Sequence, residues 1–352
     1  MSEAGPAGAD RLEALRFPSD DQSAINSLAP NEELSAAVAQ CALNEFPITP
    51  ELTPELEAAF SGSLSKLGLE RETVKAYVFP DSSIQANCLP SQGSGCIIRL
   101  SSGLVQLLDE REICFVIGHE LAHHFFGHGS VINGSDHLAL EDKIALKHRE
   151  ISADRLGLIA CGYLKESITA LIKTVSGLDD SHLRLDINAY IETLSKVEVQ
   201  DDLSQNLSVQ THPPILIRCR SLLWFFGVLG SNCQISDLSL TELDLVNQRV
   251  LKDLERFVDA AAFSAKEDLA LKYDMWNLVC TILEKNRFSR AAQEQVLARF
   301  GPERLEQIKR FLGSSSKQEL RAIAKRKRDS AASELRRHFP VSAPALLRRS
   351  QS

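Results

Sequence analysis

The residues with the clearest capacity for chemistry are His119, Glu120 and His123, in the run His119-Glu120-Leu121-Ala122-His123. On a helix, positions four apart share one face about one turn from each other, so each imidazole can give one nitrogen to a single tetrahedral zinc ion. Glu120 sits on the rim of that face, where a carboxylate can take a proton from a metal-activated water and deliver it to a leaving amine. Two histidines leave the ion's shell incomplete. A metzincin-type third ligand needs Gly seven and His ten residues after His119, and Phe126 and Gly129 occupy those places. The alternative is a glutamate on a following helix. Glu150 can ligate, and Asp154, four residues on, can accept the remaining N–H of a ligating histidine and so fix its tautomer.

These residues need elements to carry them. Asp109 followed by Glu112 fits a capping box, which opens a helix through Val116, His119, His123 and Phe126, with Gly127 and Gly129 available to end it. A second helix is expected over about 140–161, stopping at Gly162, with Ala153 and Gly157 one turn apart to permit close packing. Upstream, 74–79 alternates and 96–100 is apolar and β-branched, so each reads as a short strand, separated by a turn-rich stretch over 80–95. Residues 54–67 read as a helix with Pro54 in its first turn. Helical spacing also begins at Glu33, interrupted by Pro47 and Pro50. Residues 1–30 lack apolar periodicity and read as a disordered tail with little chemistry. Several amphipathic helices are expected over 240–313, and there is no internal repeat.

His119 to His123, then Glu150-Ile151-Ser152-Ala153-Asp154, then Thr211-His212-Pro213-Pro214 with Arg218, resemble in order and spacing the HtpX and CAAX prenyl protease family of gluzincins. Residues 74–79, Ala86-Asn87 and 97–108 resemble that family's strand, Asn-containing edge segment and entry helix, so the likeness covers about residues 54–226. It implies an α+β, mostly helical fold: a zincin-like metallopeptidase domain with a small sheet and an active-site helix, followed by a C-terminal helical region. It also implies one zinc ion (Zn2+) per chain held by His119, His123 and Glu150, Glu120 as general base, and His212 or Arg218 near the substrate carbonyl oxygen. His212 has a plainer reading, as a residue that caps or packs beside two prolines, and Asn87 stands between substrate contact and turn former. The family's best-known members have transmembrane helices and this chain shows none, so soluble peptides or unfolded proteins fit better than prenylated or membrane-embedded substrates. Cys88 and Leu89 follow Asn87 where an edge strand could pair with an extended peptide.

Composition sets the outer bounds. A chain of 352 residues with 44% hydrophobic content can bury a full core and has room for two domains. The expected division is a disordered tail over 1–30, a zinc metallopeptidase domain over 31–230, a helical accessory domain over 231–316 and a basic tail over 317–352. A formal net charge of -8 argues against nucleic-acid binding by the molecule as a whole. The last segment runs the other way, with ten Lys or Arg against three Asp or Glu from Lys317 to Ser352. It reads as a contact for nucleic acid or an acidic surface, as a solvated helix face with a loose tail, or as a restraint folded back on the cleft. The eight cysteines never form a Cys-x-x-Cys pair, so no thiolate zinc knuckle is indicated, and Cys114 and Cys161 read as core packing. His124, His128, His137, His148, His182 and His338 are given no metal role. There is no secretory signal pattern, and the most apolar run, 221–230, is half the length of a membrane span, so a cytoplasmic protein is expected. The competing functional reading is a catalytically silent zincin-fold protein that binds or regulates through its helical region and basic tail. Oligomeric state and substrate identity are not legible.

Overall fold

A computed structural model of the chain describes residues 12–20, 39–90, 95–128, 138–195, 206–230, 233, 235, 238–285 and 287–349. The expected start of a helix at Glu33 and the reading of His137 fall outside them. The architecture is mostly helical with one small mixed sheet, an α+β arrangement. Strands β1 (Phe46–Pro47), β2 (Val74–Phe79), β3 (Ala86–Pro90) and β4 (Cys96–Ser101) lie in the order β1-β2-β4-β3. β2 and β4 run parallel, with Val74 opposite Cys96, while β3 pairs antiparallel to β4, with Cys88 opposite Ile98. Strand β3 lies within the stretch read as turns. Pro90 and the neighbouring Ser and Gly obscure it in the sequence, but an edge strand bonds on one side only and tolerates a proline.

Alternation sends Val74, Ala76, Cys96, Ile98 and Leu100 to the face that joins the main core, against helix α1 (Pro54–Lys66) and helix α3 (Glu110–Phe125). Short helix α2 (Ser102–Leu107) links sheet to α3. The expected capping box is present: Asp109 accepts from the Arg111 and Glu112 amides, and the Asp109 amide donates to Glu112. Glu112 also takes an ion pair at 2.8 Å from Lys173 on α5 (Leu164–Ser176), so the cap that starts α3 is tied to a second helix.

Helix α4 (Leu140–Cys161) lies against α3 and ends at Gly162, whose φ of +82° is the left-handed conformation a helix terminator needs. The two helices touch backbone to backbone. A Cβ at Gly118 would come within 2.9 Å of the Gly157 Cα, and one at Gly157 within 2.8 Å of the Phe115 carbonyl oxygen. Eighteen of the 22 residues of α4 are buried, so it is a core helix on every face although its sequence is full of charge. Helix α6 (Ile187–Ser195) and the apolar α7 (Ile215–Leu229) follow. No helix among the described residues is long and apolar enough to cross a membrane.

Two segments differ from their sequence reading. Residues 12–20, read as part of a tail, are packed: Leu15 and Phe17 are fully buried, and Phe17 joins an apolar cluster with Ile151, Ile217, Val246 and Val250. Two or three well-placed apolar residues suffice for such docking, yet they leave no periodic signal. That cluster also draws α8 (Leu240–Asp253) onto α4 and α7, so packing runs on past residue 230. The segment read as a basic tail forms α11 (Lys317–His338) and α12 (Ala343–Arg349). Their apolar stripe, through Leu320, Ala324, Ala331 and Leu335, packs on the long helix α9 (Ala260–Glu284), with α10 (Arg290–Leu312) completing the group. Small residues every three or four places among Lys and Arg make a narrow stripe that composition hides.

Candidate metal centre

Helices α3 and α4 cross so that His119, His123 and Glu150 bring one ligand atom each to within 4.8 Å of one another. The His119 and His123 Nε2 atoms are 3.2 Å apart, and each lies 3.5 Å from an oxygen of Glu150. Ligands at about 2.0–2.1 Å around a tetrahedral ion stand roughly 3.4 Å from each other, so this spacing fits one small cation.

The outer hydrogen bonds decide where the imidazole protons sit. His119 Nδ1 is 3.0 Å from the fully buried Asp154 carboxylate, which can only accept, so Nδ1 carries a proton and in the neutral ring the Nε2 lone pair faces Glu150. On the other ring, His123 Nδ1 is 2.9 Å from His128 Nδ1, and His128 Nε2 is 3.3 Å from the buried Asp20 carboxylate. His128 therefore donates to Asp20 through Nε2 and accepts from His123 through Nδ1. The His123 Nε2 lone pair thus points at the His119 lone pair across 3.2 Å, with a carboxylate closing the triangle. Three electron-rich atoms facing one point are mutually repulsive unless a cation lies between them, which is the chemical test this donor set passes.

Charges in the surroundings match. Burial would raise the Glu150 carboxyl, but Arg218, His119, His123 and His212 outweigh it and hold it down to about 2. Asp154 is likewise lowered, burial being overcome by Arg218 and His119. Glu120 differs: burial and the Glu150 charge push it up to about 7 against the pull of His119, Arg218 and the backbone amide of Cys88. The hydrogen bond from that amide sets the carboxylate of Glu120 against edge strand β3. A carboxyl poised near neutrality is suited to accepting and returning a proton.

The remaining predicted residues fall in different places. His212 is brought in: its Nε2 is 3.6 Å from Glu150 while its side chain stays 65% exposed, which puts it on the open rim. The chain before it is fastened by the buried Lys147, which donates to the Ser208 and Gln210 carbonyls and pairs with Asp259 at 2.9 Å. Arg218 lies behind the triangle. It spends two donors on Asp154, at 2.8 and 2.6 Å, and stands 3.4 Å from Glu150. Asn87 does not join the group; its side chain lies on the other face of the sheet and accepts from Arg99 at 3.4 Å.

Sequence reasoning missed Asp20, His128 and Ser152. Ser152 donates to Asp20 at 2.6 Å and Arg149 donates to the carbonyls of Asp20 and His128, so residues 12–20 form the far wall of the site. Only His128, five places after His123, carried a usable signal.

Comparison with known proteins agrees with this geometry over part of the chain. A family model described as peptidase family M48 matches residues 50–139. The match covers α1, strands β2 to β4 and α3 with His119, Glu120 and His123, and it supports a metallopeptidase; it stops before Glu150, Asp154, His212 and Arg218. No curated protein and no solved structure matches the chain.

Proposed function

We propose that the chain is a zinc-dependent endopeptidase of zincin-like build, cleaving peptide bonds in extended or unfolded protein substrates, with one zinc ion held by His119, His123 and Glu150. The observation that carries this reading is the pair of imidazole lone pairs aimed at one point beside a carboxylate, with Glu120 next to it. Bound there, zinc supplies Lewis acidity, lowering the pKa of water towards about 7 and polarising the scissile carbonyl.

The protein groups do the rest. Glu120 takes a proton from the attacking water and delivers it to the leaving nitrogen. His212, exposed on the rim, donates to the carbonyl oxygen as negative charge develops there. Arg218 keeps Asp154 and Glu150 ionised, and Asp154 keeps His119 in the required tautomer. Strand β3 is an outer strand of the sheet, so an extended peptide added to it is held beside Glu120. The eight unpaired cysteines fit a reducing compartment, and we place the protein in the cytoplasm.

Glu120→Gln separates metal binding from proton transfer. Zinc content should be unchanged, while turnover of an unfolded substrate falls by about 10²–10⁴-fold. Wild-type turnover in that variant, or wild-type cleavage that survives complete chelation, would overturn the zinc-dependent mechanism with Glu120 as base.

A further inference from the structure

Strands β3 and β4 bring together two cysteines that the sequence keeps eight residues apart. Pro90 lies opposite Cys96 and Cys88 opposite Ile98, so Cys88 and Cys96 are diagonal neighbours on one face of the sheet. That face covers α3, and the last turn of α3 supplies His124. One ligand atom from each of Cys88, Cys96 and His124 lies within 4.8 Å of the others, and none of the three belongs to the His119, His123 and Glu150 group.

We propose that Cys88, Cys96 and His124 form a second cation site, a sulfur-rich one selective for zinc, that fastens edge strand β3 to β4 and to helix α3. Two sulfurs and an imidazole are the donor set a thiophilic ion prefers, and the backbones that present them are fixed by a ladder and a helix. Cys96 is buried, whereas Cys88 and His124 are half-buried, which leaves room on the outer side for a fourth ligand. Hydrogen bonding to the Cys96 thiol, together with burial, holds the Cys88 thiol well above its ordinary value. Zinc uptake would exchange the two S–H protons for two Zn–S bonds, with one imidazole nitrogen of His124 as the third donor; two protons go to solvent and no electrons move. Because the Cys88 amide also bonds Glu120, an ion here would stiffen the strand that receives substrate without entering the centre that cleaves it.

Cobalt gives a readout that does not depend on activity. In the reduced full-length chain, Co2+ should bind beyond the first equivalent and produce a sulfur-to-cobalt charge-transfer band, which the nitrogen and oxygen donors of the first centre cannot give. The band should persist in a His119→Ala/Glu150→Ala double variant, be lost in Cys88→Ser, and weaken and shift in His124→Gln. Cys88 and His124 are half-buried, so those substitutions leave the core intact; buried Cys96 is left alone. Absence of the band in the wild type, its survival in Cys88→Ser, or its disappearance with the His119/Glu150 variant would overturn the proposal. A Cys88–Cys96 disulfide that persists in reductant would do so too. None of these results bears on cleavage, which the Glu120→Gln test decides separately.

Discussion

Helices α4 and α11 are both 22 residues long and both rich in charge, yet they use it in opposite ways. On α11 only Leu320, Ala324, Ala331, Ala332 and Leu335 are buried, and most of the Lys and Arg side chains stand in water. On α4 the charges are inside: Lys147, Asp154 and Arg155 have no exposed surface, and Arg149 and Glu150 have little. Burying a charge costs several kcal/mol unless it is paired, so a helix that does this repeatedly is built around something other than stability. Around the metal centre nearly every buried charge is matched to a named partner, and each match orients a ligand or the chain beside one. The C-terminal helices are held by ordinary apolar packing.

That contrast can be broken by substitution, beginning with the largest effect. Arg155 donates to the Leu15 carbonyl at 3.1 Å and to Asn247 at 2.6 Å, and lies against the rings of Phe17 and Phe225. Arg155→Ala should cost about 3–5 kcal/mol in denaturant unfolding and weaken zinc binding too, because the wall formed by residues 12–20 loosens. Leu335→Ala, in the contrasting region, should cost about 2–4 kcal/mol with zinc affinity unchanged. A fall in zinc affinity in that variant would show that the two regions are not separable as described.

A pH titration sharpens the comparison. His148 packs edge-on to Phe17 with ring centroids 5.0 Å apart, and burial lowers it to about 4. Its folded value is depressed, so the unfolded chain binds the proton more readily. The stability it contributes is present above about pH 6.5 and is lost as pH falls from there towards 4, by roughly 3 kcal/mol at most. His148→Phe should flatten that limb in stability measured against pH, and an unchanged slope would discard the account. The smallest effect concerns Asp20. Asp20→Asn should lower zinc affinity by about 10-fold by releasing His128 and with it the His123 ring, while Ser152 and the fold stay in place. Equal affinity by competition with a chelator would show that His128 needs no brace.

Much of the inner site was legible because helical spacing is a local property. The pair His119 and His123, the capping box at Asp109 and the Gly162 terminator each follow from residues within one or two turns. Strand β3 was legible only through the resemblance, as an edge segment around Asn87, since what makes it a strand is pairing with β4 rather than its own pattern. The pairing of His128 with Asp20 was invisible for a similar reason: the two are 108 residues apart and meet only because Phe17 and Leu15 dock beside α4.

The sequence by itself determined helices α3 and α4, where each ends and the chemistry available on their faces, because backbone hydrogen bonding and side-chain periodicity act over a few residues. Only the tertiary structure decided which carboxylate faces which imidazole, which ring nitrogen holds the proton, and that Arg218 lies behind the triangle while His212 stands at its rim. Those choices depend on where helices cross and how deeply charges are buried, and both are set by packing among segments far apart along the chain.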